Sequence, residues 1–212
     1  EDGTKEYAAE AGISLAAGVY ETIDIVLGIP YQWIKTRETG NNSSEHGIGD
    51  LACEIKWRVF ENGPLSLALK PGLIFPTGDD GKELGNGKSG YSGYLVGTYG
   101  EEDYAIHING GYCRNRNVLG DRENLWHVSI AGEYGLTERF TLVFNCGCER
   151  NASTDDDTIP VFMIAGAAYA INDLLDIDCG IKWGCTDTET DISVLAGITI
   201  HFATIHKEGQ EE

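Results

Sequence analysis

Residues 174–184, with the sequence LLDIDCGIKWG, alternate between apolar and polar or small side chains. In an extended strand, Leu175, Ile177, Cys179, Ile181 and Trp183 share one face, and Asp176, Asp178, Gly180 and Lys182 share the other. This period of two predicts a β-strand with one apolar face, because successive side chains of a strand point in opposite directions. A half-buried strand of a soluble protein has the same pattern, so the rest of the chain must decide where the apolar face lies.

The alternation returns in seven further segments. They lie near residues 22–36, 48–60, 64–77, 103–114, 124–135, 138–150 and 191–202. Three more segments, near 6–18, 91–100 and 159–171, are strand-like, but their sequences do not decide which side chains share a face. Together the pattern predicts eleven strands in this chain.

The connections between these segments alternate in length. The short ones lie at 19–22, 60–63, 100–103, 135–138 and 171–173, and the longer, polar ones lie near 37–47, 78–90, 114–123, 150–158 and 185–190. Short turns at one end and longer loops at the other are typical of an up-and-down membrane barrel. A soluble sandwich has Greek-key connections instead.

The apolar face is large, and it carries all four tryptophans, Trp33, Trp57, Trp126 and Trp183, near the ends of segments. Aromatic residues in such places form the interfacial girdles of membrane barrels. The other face combines charged residues with glycine and serine. The pattern therefore favours an inverted barrel whose apolar side chains face lipid, with a soluble β-barrel or sandwich as the alternative.

The predicted fold is all-β: an antiparallel, up-and-down transmembrane β-barrel of about 12 strands in the bacterial outer membrane. Single-chain bacterial barrels have an even number of strands, so the eleven segments predict one more strand upstream of Glu1. Residues 1–202 would form the barrel, and residues 203–212 a polar C-terminal tail. Outer-membrane lipid and lipopolysaccharide would surround it.

Charge and composition exclude several classes of protein. A formal net charge of -19 repels phosphate backbones, so we expect no nucleic-acid partner. The longest nearly apolar stretch, residues 159–171, is shorter than the roughly 20 residues of a membrane helix. Cys146 and Cys148 lie too far apart along one strand for a disulfide between them. Because no pair of cysteines or histidines with zinc-site spacing follows them, we expect neither a metal nor a cofactor.

The polar face would line the lumen, where its side chains either set the selectivity of a pore or fill the interior with ion pairs and hydrogen bonds. A channel and a plugged, structural or surface-binding barrel therefore both stay open. The candidate lumen-lining residues are Glu10, Asp24, Asp50, Glu54, Lys56, Arg58, Lys70, His107, Asn109, His127, Glu133, Arg139, Asn145, Glu149, Asp176, Asp178 and Lys182.

Two patterns suggest other chemistry and are weaker. Residues 85–90, GNGKSG, match a nucleotide-binding glycine pattern, but a strand rather than a helix is predicted to follow. A flexible external loop is therefore the better interpretation. An outer-membrane hydrolase would need a serine, a histidine and an orienting polar group. No G-x-S-x-G motif occurs, and we expect Ser129 to face away from His127, so no catalytic residue is assigned.

Five segments together resemble a known family. Residues 47–51 (GIGDL), 56–58 (KWR), 69–79 (LKPGLIFPTGD), 27–31 (LGIPY) and 133–139 (EYGLTER) resemble the proteobacterial outer-membrane family named after the meta-pathway of phenol degradation. The resemblance implies a channel or transporter for small solutes, aromatic or hydrophobic ones included. Residues 198–202 (ITIHF) resemble the C-terminal signal that the barrel assembly machinery recognises, although here ten residues follow it.

Overall fold

The structure is a computed structural model that describes residues 5–38 and 41–202. It contains twelve strands and one short 3₁₀ turn at Asp80–Lys82. The strands are β1 (Lys5–Tyr20), β2 (Ile23–Glu38), β3 (Asn41–Ile48), β4 (Leu51–Asn62), β5 (Leu65–Phe75), β6 (Gly90–Gly100), β7 (Tyr104–Arg114), β8 (Asn124–Thr137), β9 (Phe140–Glu149), β10 (Val161–Asn172), β11 (Leu175–Gly184) and β12 (Ile192–Ile200).

The strands form one antiparallel sheet in which neighbours in sequence are neighbours in space. The order is β1-β2-β4-β5-β6-β7-β8-β9-β10-β11-β12, and β3 pairs with β2. In the described part of the chain, β1 and β12 each pair with a single strand. This order confirms the predicted all-β, up-and-down barrel architecture.

Strand β2 has two partners on the same side. Its first half pairs with β4 over residues 23–28, and its second half pairs with β3 over residues 31–38. Strands β3 and β4 thus follow one another along the sheet, separated by Gly49 and Asp50. The prediction of a loop near 37–47 was therefore wrong for the segment from Asn41 onward, which is a strand. The strand predicted upstream of Glu1 and the polar tail at 203–212 lie outside the described residues.

The apolar side chains point away from the interior, as an inverted barrel requires. Ile13, Leu73, Ile108, Met163 and Val194, on five different strands, are all at least half exposed. In the described residues, only Leu84 and Phe162 are buried hydrophobic side chains. A soluble protein would bury these strand faces, so the large apolar surface identifies the face that lipid covers.

The predicted alternation of connections is confirmed. Two or three residues join β1 to β2, β4 to β5, β6 to β7, β8 to β9 and β10 to β11. At the opposite end lie the longer connections 76–89, 115–123, 150–160 and 185–191. No helix in the described part of the chain has the length and apolar character to cross a membrane. All six cysteines lie in this part and are free thiols.

Candidate functional site in the lumen

Many of the candidate lumen residues pair with side chains on neighbouring strands. The pairs among the candidates are Glu54 with Lys70 at 3.4 Å, His107 with Glu133 at 3.5 Å and His127 with Glu149 at 3.1 Å. Three further candidates have partners that the sequence did not suggest, namely Glu10 with Gln32 at 3.0 Å, Asp176 with His201 at 2.7 Å and Lys182 with Glu189 at 2.9 Å. The inward face thus carries polar side chains that already have partners, including the ion pairs Glu54–Lys70 and Lys182–Glu189.

The remaining candidates lie in different surroundings. Arg139 is an exposed residue of the turn between β8 and β9, and Lys56 is exposed on β4. Arg58 contacts Glu61 and the backbone carbonyl of Glu21 at the short-turn end. On the strands themselves, Asp24, Asn109 and Asp178 pair in register with Gly18, Ser129 and Gly197, respectively. Asn145 lies on β9, and its Oδ1 is buried without a hydrogen-bond partner.

One inward row crosses five neighbouring strands. Lys70, Tyr94, Gly111, His127 and Glu149 are successive register partners on β5, β6, β7, β8 and β9. The glycine is required there, because a Cβ on Gly111 would lie 2.1 Å from the Tyr94 ring. The Tyr94 ring therefore lies flat against the wall, and its centroid lies 6.2 Å from that of the His127 ring, with an angle of 65° between the two ring planes.

A cavity of about 370 Å³ opens at the loop end of this row. Its polar lining includes Tyr94, His127, Glu149 and Glu189, and its apolar lining includes Leu125, Trp126, Ala152 and Pro160. A volume of this size lies within the range of small-molecule sites, which combine apolar walls with a few polar groups. The cavity could therefore hold a small ring-shaped molecule, with carboxylates available to accept hydrogen bonds from it.

The loop between β5 and β6 is fastened to the wall by Asp50, which occupies the break between β3 and β4. The Asp50 carboxylate accepts the backbone N–H of Gly78 at 3.0 Å and that of Asn86 at 2.8 Å. Between these two anchors Leu84 is only 3% exposed and lies close to Gly47 and Gly49, where an added Cβ would be 3.0 Å and 3.3 Å, respectively, from atoms of Leu84. Asp50 therefore anchors a loop rather than projecting freely into the lumen.

The loop between β7 and β8 is organised around Asn117. Its buried side chain accepts the backbone N–H groups of Gly120 and Asp121 and donates to two carbonyls of its own loop. The backbone carbonyl of Asn117 accepts a hydrogen bond from the Lys88 ammonium at 2.8 Å. Lys88 belongs to the GNGKSG segment, which is followed by strand β6 rather than a helix. The glycine-rich segment thus joins two loops, and the nucleotide-site pattern lacks its structural context.

Arg122 connects that loop to the one between β9 and β10. Its guanidinium donates to the carbonyls of Asn151, Thr154 and Asp156 and lies 2.6 Å from the Asp157 carboxylate. The arginine side chain is 16% exposed. Residues 151 and 152 line the cavity, so this contact holds part of the cavity roof in place.

Asp156, in the same loop, closes a local turn. Its carboxylate accepts the backbone N–H of Thr158 at 2.7 Å. Hydrogen bonds from Thr158, and to a smaller extent the charge of Arg122, hold the pKa of the Asp156 carboxyl below its usual range.

The expectation that Ser129 faces away from His127 was wrong. Residues two apart on a strand share a face, and both side chains point inward on β8. Ser129 is 5% exposed and makes no hydrogen bond with His127, whose Nδ1 instead meets Glu149. The described residues therefore contain no assembled Ser-His pair at this position. Nor do they bring three histidine, cysteine or acidic side chains together for a metal ion.

Comparison with known proteins matches the chain to a family. A family model described as "Putative MetA-pathway of phenol degradation" covers residues 8–202. The chain belongs to this family. A search of curated protein sequences found no match. Among solved structures, a Pseudomonas aeruginosa FadL homologue superposes with a TM-score of 0.50 at 10% identity.

The superposition shows that the two proteins share a fold. It covers 85% of this chain and 60% of the FadL homologue, so the chain spans less than two thirds of that protein's length. Family membership, the shared fold and the lipid-facing apolar surface together identify the protein as an outer-membrane β-barrel.

Proposed function

We propose that the barrel carries small hydrophobic solutes, aromatic ones included, across the outer membrane, and that the lumen cavity is their binding site. The single observation that carries the proposal is the cavity of about 370 Å³ at the loop end, lined by Tyr94 and His127 as well as by carboxylates. The description of the family, which refers to phenol degradation, supports the same solute class.

The chemistry of the lining suits a ring with a polar substituent. The rings of His127 and Tyr94 can make aromatic contacts, which prefer offset or edge-to-face geometry. Glu149 and Glu189 can accept a hydrogen bond from a hydroxyl or amino group. Both carboxylates already have a side-chain partner in the cavity wall, Lys182 for Glu189 and the His127 Nδ1 for Glu149.

Binding can be tested with phenol as the probe, because Trp126, which shares the apolar face of β8 with Val128, borders the cavity at its loop end. In detergent-solubilised protein, phenol should change the Trp126 fluorescence with a saturable concentration dependence. Cyclohexanol, which has the same hydroxyl group but no aromatic face, should bind more weakly. The variant Trp126→Phe identifies the signal, and Tyr94→Leu should weaken phenol binding. Equal responses to phenol and cyclohexanol, or no saturable response, would contradict the assignment of the cavity.

A plugged structural barrel is the second candidate, because three fastened loops cover the loop end. The anchors are Asp50, Asn117 and Arg122. Conductance in planar bilayers separates the two functions. A steady ion current through wild-type protein supports a transport pathway, whereas the absence of current under every condition favours the plugged barrel.

We also infer two partners from the position and sequence of the barrel. The barrel assembly machinery would insert it, guided by residues 198–202, and lipopolysaccharide would contact the acidic loop end. The variant Phe202→Ala should reduce the yield of folded, heat-modifiable barrel in outer membranes. An unchanged yield would argue against this segment as the signal.

A further inference from the structure

His127 is held in one orientation on the cavity wall. Its Nδ1 lies 3.1 Å from a carboxylate oxygen of Glu149. Its ring stacks on the Phe162 ring, with centroids 6.0 Å apart and an angle of 25° between the ring planes. On β6, the Tyr94 ring lies at 65° to it and is itself kept flat by Gly111. The imidazole therefore cannot rotate freely, because a hydrogen bond and two rings surround it.

Phe162 gives the imidazole a fixed surface on which to stack. Only 6% of Phe162 is exposed, and its ring lies over Gly147, where a Cβ would be 2.8 Å from the Phe162 Cζ. The Lys182 ammonium lies 4.9 Å from the ring centroid and pairs with Glu189 at 2.9 Å. A binding group whose supports are packed in this way is pre-organised, so little free energy is lost in ordering it when a solute binds.

The contact with Glu149 decides which nitrogen of His127 carries the proton. An ionised carboxylate can only accept a hydrogen bond, so Nδ1 is the donor in this pair. In neutral imidazole the other nitrogen, Nε2, then has no proton and presents a lone pair as an acceptor. This Nε2 makes no hydrogen bond with any residue that the structure describes.

The free nitrogen of His127 is open to the cavity, unlike that of His107, a second inward histidine. Both side chains are 24% exposed. Across residues 5–38 and 41–202, the buried side-chain polar atoms without a hydrogen-bond partner are His107 Nε2 and Asn145 Oδ1. Because His127 Nε2 also lacks a partner but is not buried, and because His127 lines the cavity, a bound solute can reach it.

Most other side-chain acceptors in the cavity lining are already engaged. They are the side-chain oxygens of Glu149, Glu189, Asn151 and Thr188. In the described lining, the Tyr94 hydroxyl and the His127 Nε2 have no such partner. The hydroxyl can donate as well as accept, whereas the imidazole nitrogen can only accept. A solute that donates a hydrogen bond therefore satisfies a group that nothing else in the wall satisfies.

We propose that His127 Nε2 is the acceptor that selects ring-shaped solutes carrying a hydroxyl group, and that Glu149 is the positioning residue that keeps the proton on Nδ1. The proposal rests on the proposed binding of small aromatic solutes in the cavity. The solute O–H donates to Nε2, and its ring lies against apolar lining such as Leu125 and Pro160. A solute without a donor displaces water from Nε2 and does not replace its hydrogen bond, which lowers its affinity.

Phenol and anisole are the probes, because anisole keeps the ring and the oxygen but has no O–H to donate. The ratio of their affinities, from the Trp126 fluorescence titration, should fall roughly three- to tenfold in His127→Phe, the factor that one neutral hydrogen bond supplies. His107→Phe is the matched control, since His107 is equally exposed but lies outside the cavity lining. It should leave the ratio unchanged. Tyr94→Phe removes the other unpartnered hydroxyl and should lower the ratio less than His127→Phe.

Nitrogen-15 NMR of histidine-labelled protein in micelles locates the proton directly. At neutral pH, wild-type His127 should show a protonated Nδ1 and an unprotonated Nε2. Phenol should shift the Nε2 resonance, and anisole should not. In Glu149→Ala both tautomers should appear, and the affinity ratio should fall toward that of His127→Phe. Because the first two measurements use wild-type protein, they test the proposal even if His127→Phe does not fold.

The results separate the acceptor role from the proposed function of the cavity. If phenol binds wild type with saturation but His127→Phe keeps the wild-type ratio, the acceptor role is refuted and the cavity remains a binding site. A proton on Nε2 in wild type, or an equal fall of the ratio in His107→Phe, refutes it as well. If phenol gives no saturable response with wild type, both the cavity assignment and the acceptor role fail.

Discussion

Replacing Asp50 by alanine should free the β5–β6 loop without unfolding the barrel. The carboxylate accepts two backbone N–H groups, from Gly78 and Asn86, in a partly buried position. Hydrogen bonds to a charged group contribute about 1.5–3 kcal/mol each, and partial exposure favours the lower value. The loss is therefore about 3 kcal/mol, which corresponds to a roughly hundredfold increase in the loop-opening equilibrium.

Hydrogen–deuterium exchange in detergent micelles measures this equilibrium at the amides of Gly78 and Asn86. Their exchange should accelerate by about two orders of magnitude in Asp50→Ala, and amides of β9 should keep their wild-type rates. Asp79→Ala is the matched control in the same loop, because the Asp79 side chain makes only exposed contacts, with Gly81 and Lys82, and exposed ion pairs contribute little. Unchanged exchange in Asp50→Ala, or equal acceleration in both variants, would refute the anchoring role.

Three further predictions concern the outer wall and the loops. Ile108→Arg places a charge on the lipid face, where Ile108 is 60% exposed. It should lower the free energy of unfolding, measured with denaturant in vesicles, by about 2–4 kcal/mol. The control His107→Arg, on the inward face, should lower it clearly less. Arg122→Ala should expose residues 150–160 to limited proteolysis, and an unchanged digestion pattern would argue against its role in holding the roof. The pKa of Asp156 is lowered in the folded loop, so its carboxylate stabilises that loop. This stabilisation is complete above the ordinary pKa of 3.8 and is lost as the pH falls through the pKa of the folded state. The protection of residues 150–160 against hydrogen–deuterium exchange should thus fall only in strong acid. Asp156→Asn should remove that pH dependence.

The wall could be predicted from the sequence because alternation depends only on local chain geometry. Residues such as Ile177 and Asp178 must point in opposite directions once the segment is a strand, and the order of short turns and loops fixes which ends lie together. The segment from Asn41 was misassigned because its polar residues, Asn41 to Glu45, resemble a loop. This segment is β3, which pairs with the second half of β2 and lies off the main path of the sheet. It therefore does not need the apolar face that the other strands present to lipid.

The site was harder to predict because it depends on contacts between distant segments. Residues 161–165 read VFMIA, a continuous apolar run without alternation, so nothing in the sequence marks Phe162 as the inward side chain. Its position follows from the glycines at 147 and 184, which become its neighbours only through the strand register. Arg122 and Glu189 were missed for the same reason, since loop contacts leave no periodic signal.

The uninterrupted meander of the sheet also determines how such a barrel can be assembled. Each spanning strand pairs with the next one along the chain, and β6 and β7, for example, are separated by only three residues. Pairing partners that are this close in sequence lose little entropy when they meet, and low contact order favours fast folding. The wall can therefore grow one hairpin at a time in chain order, each new strand using the free backbone groups of the previous one as its template.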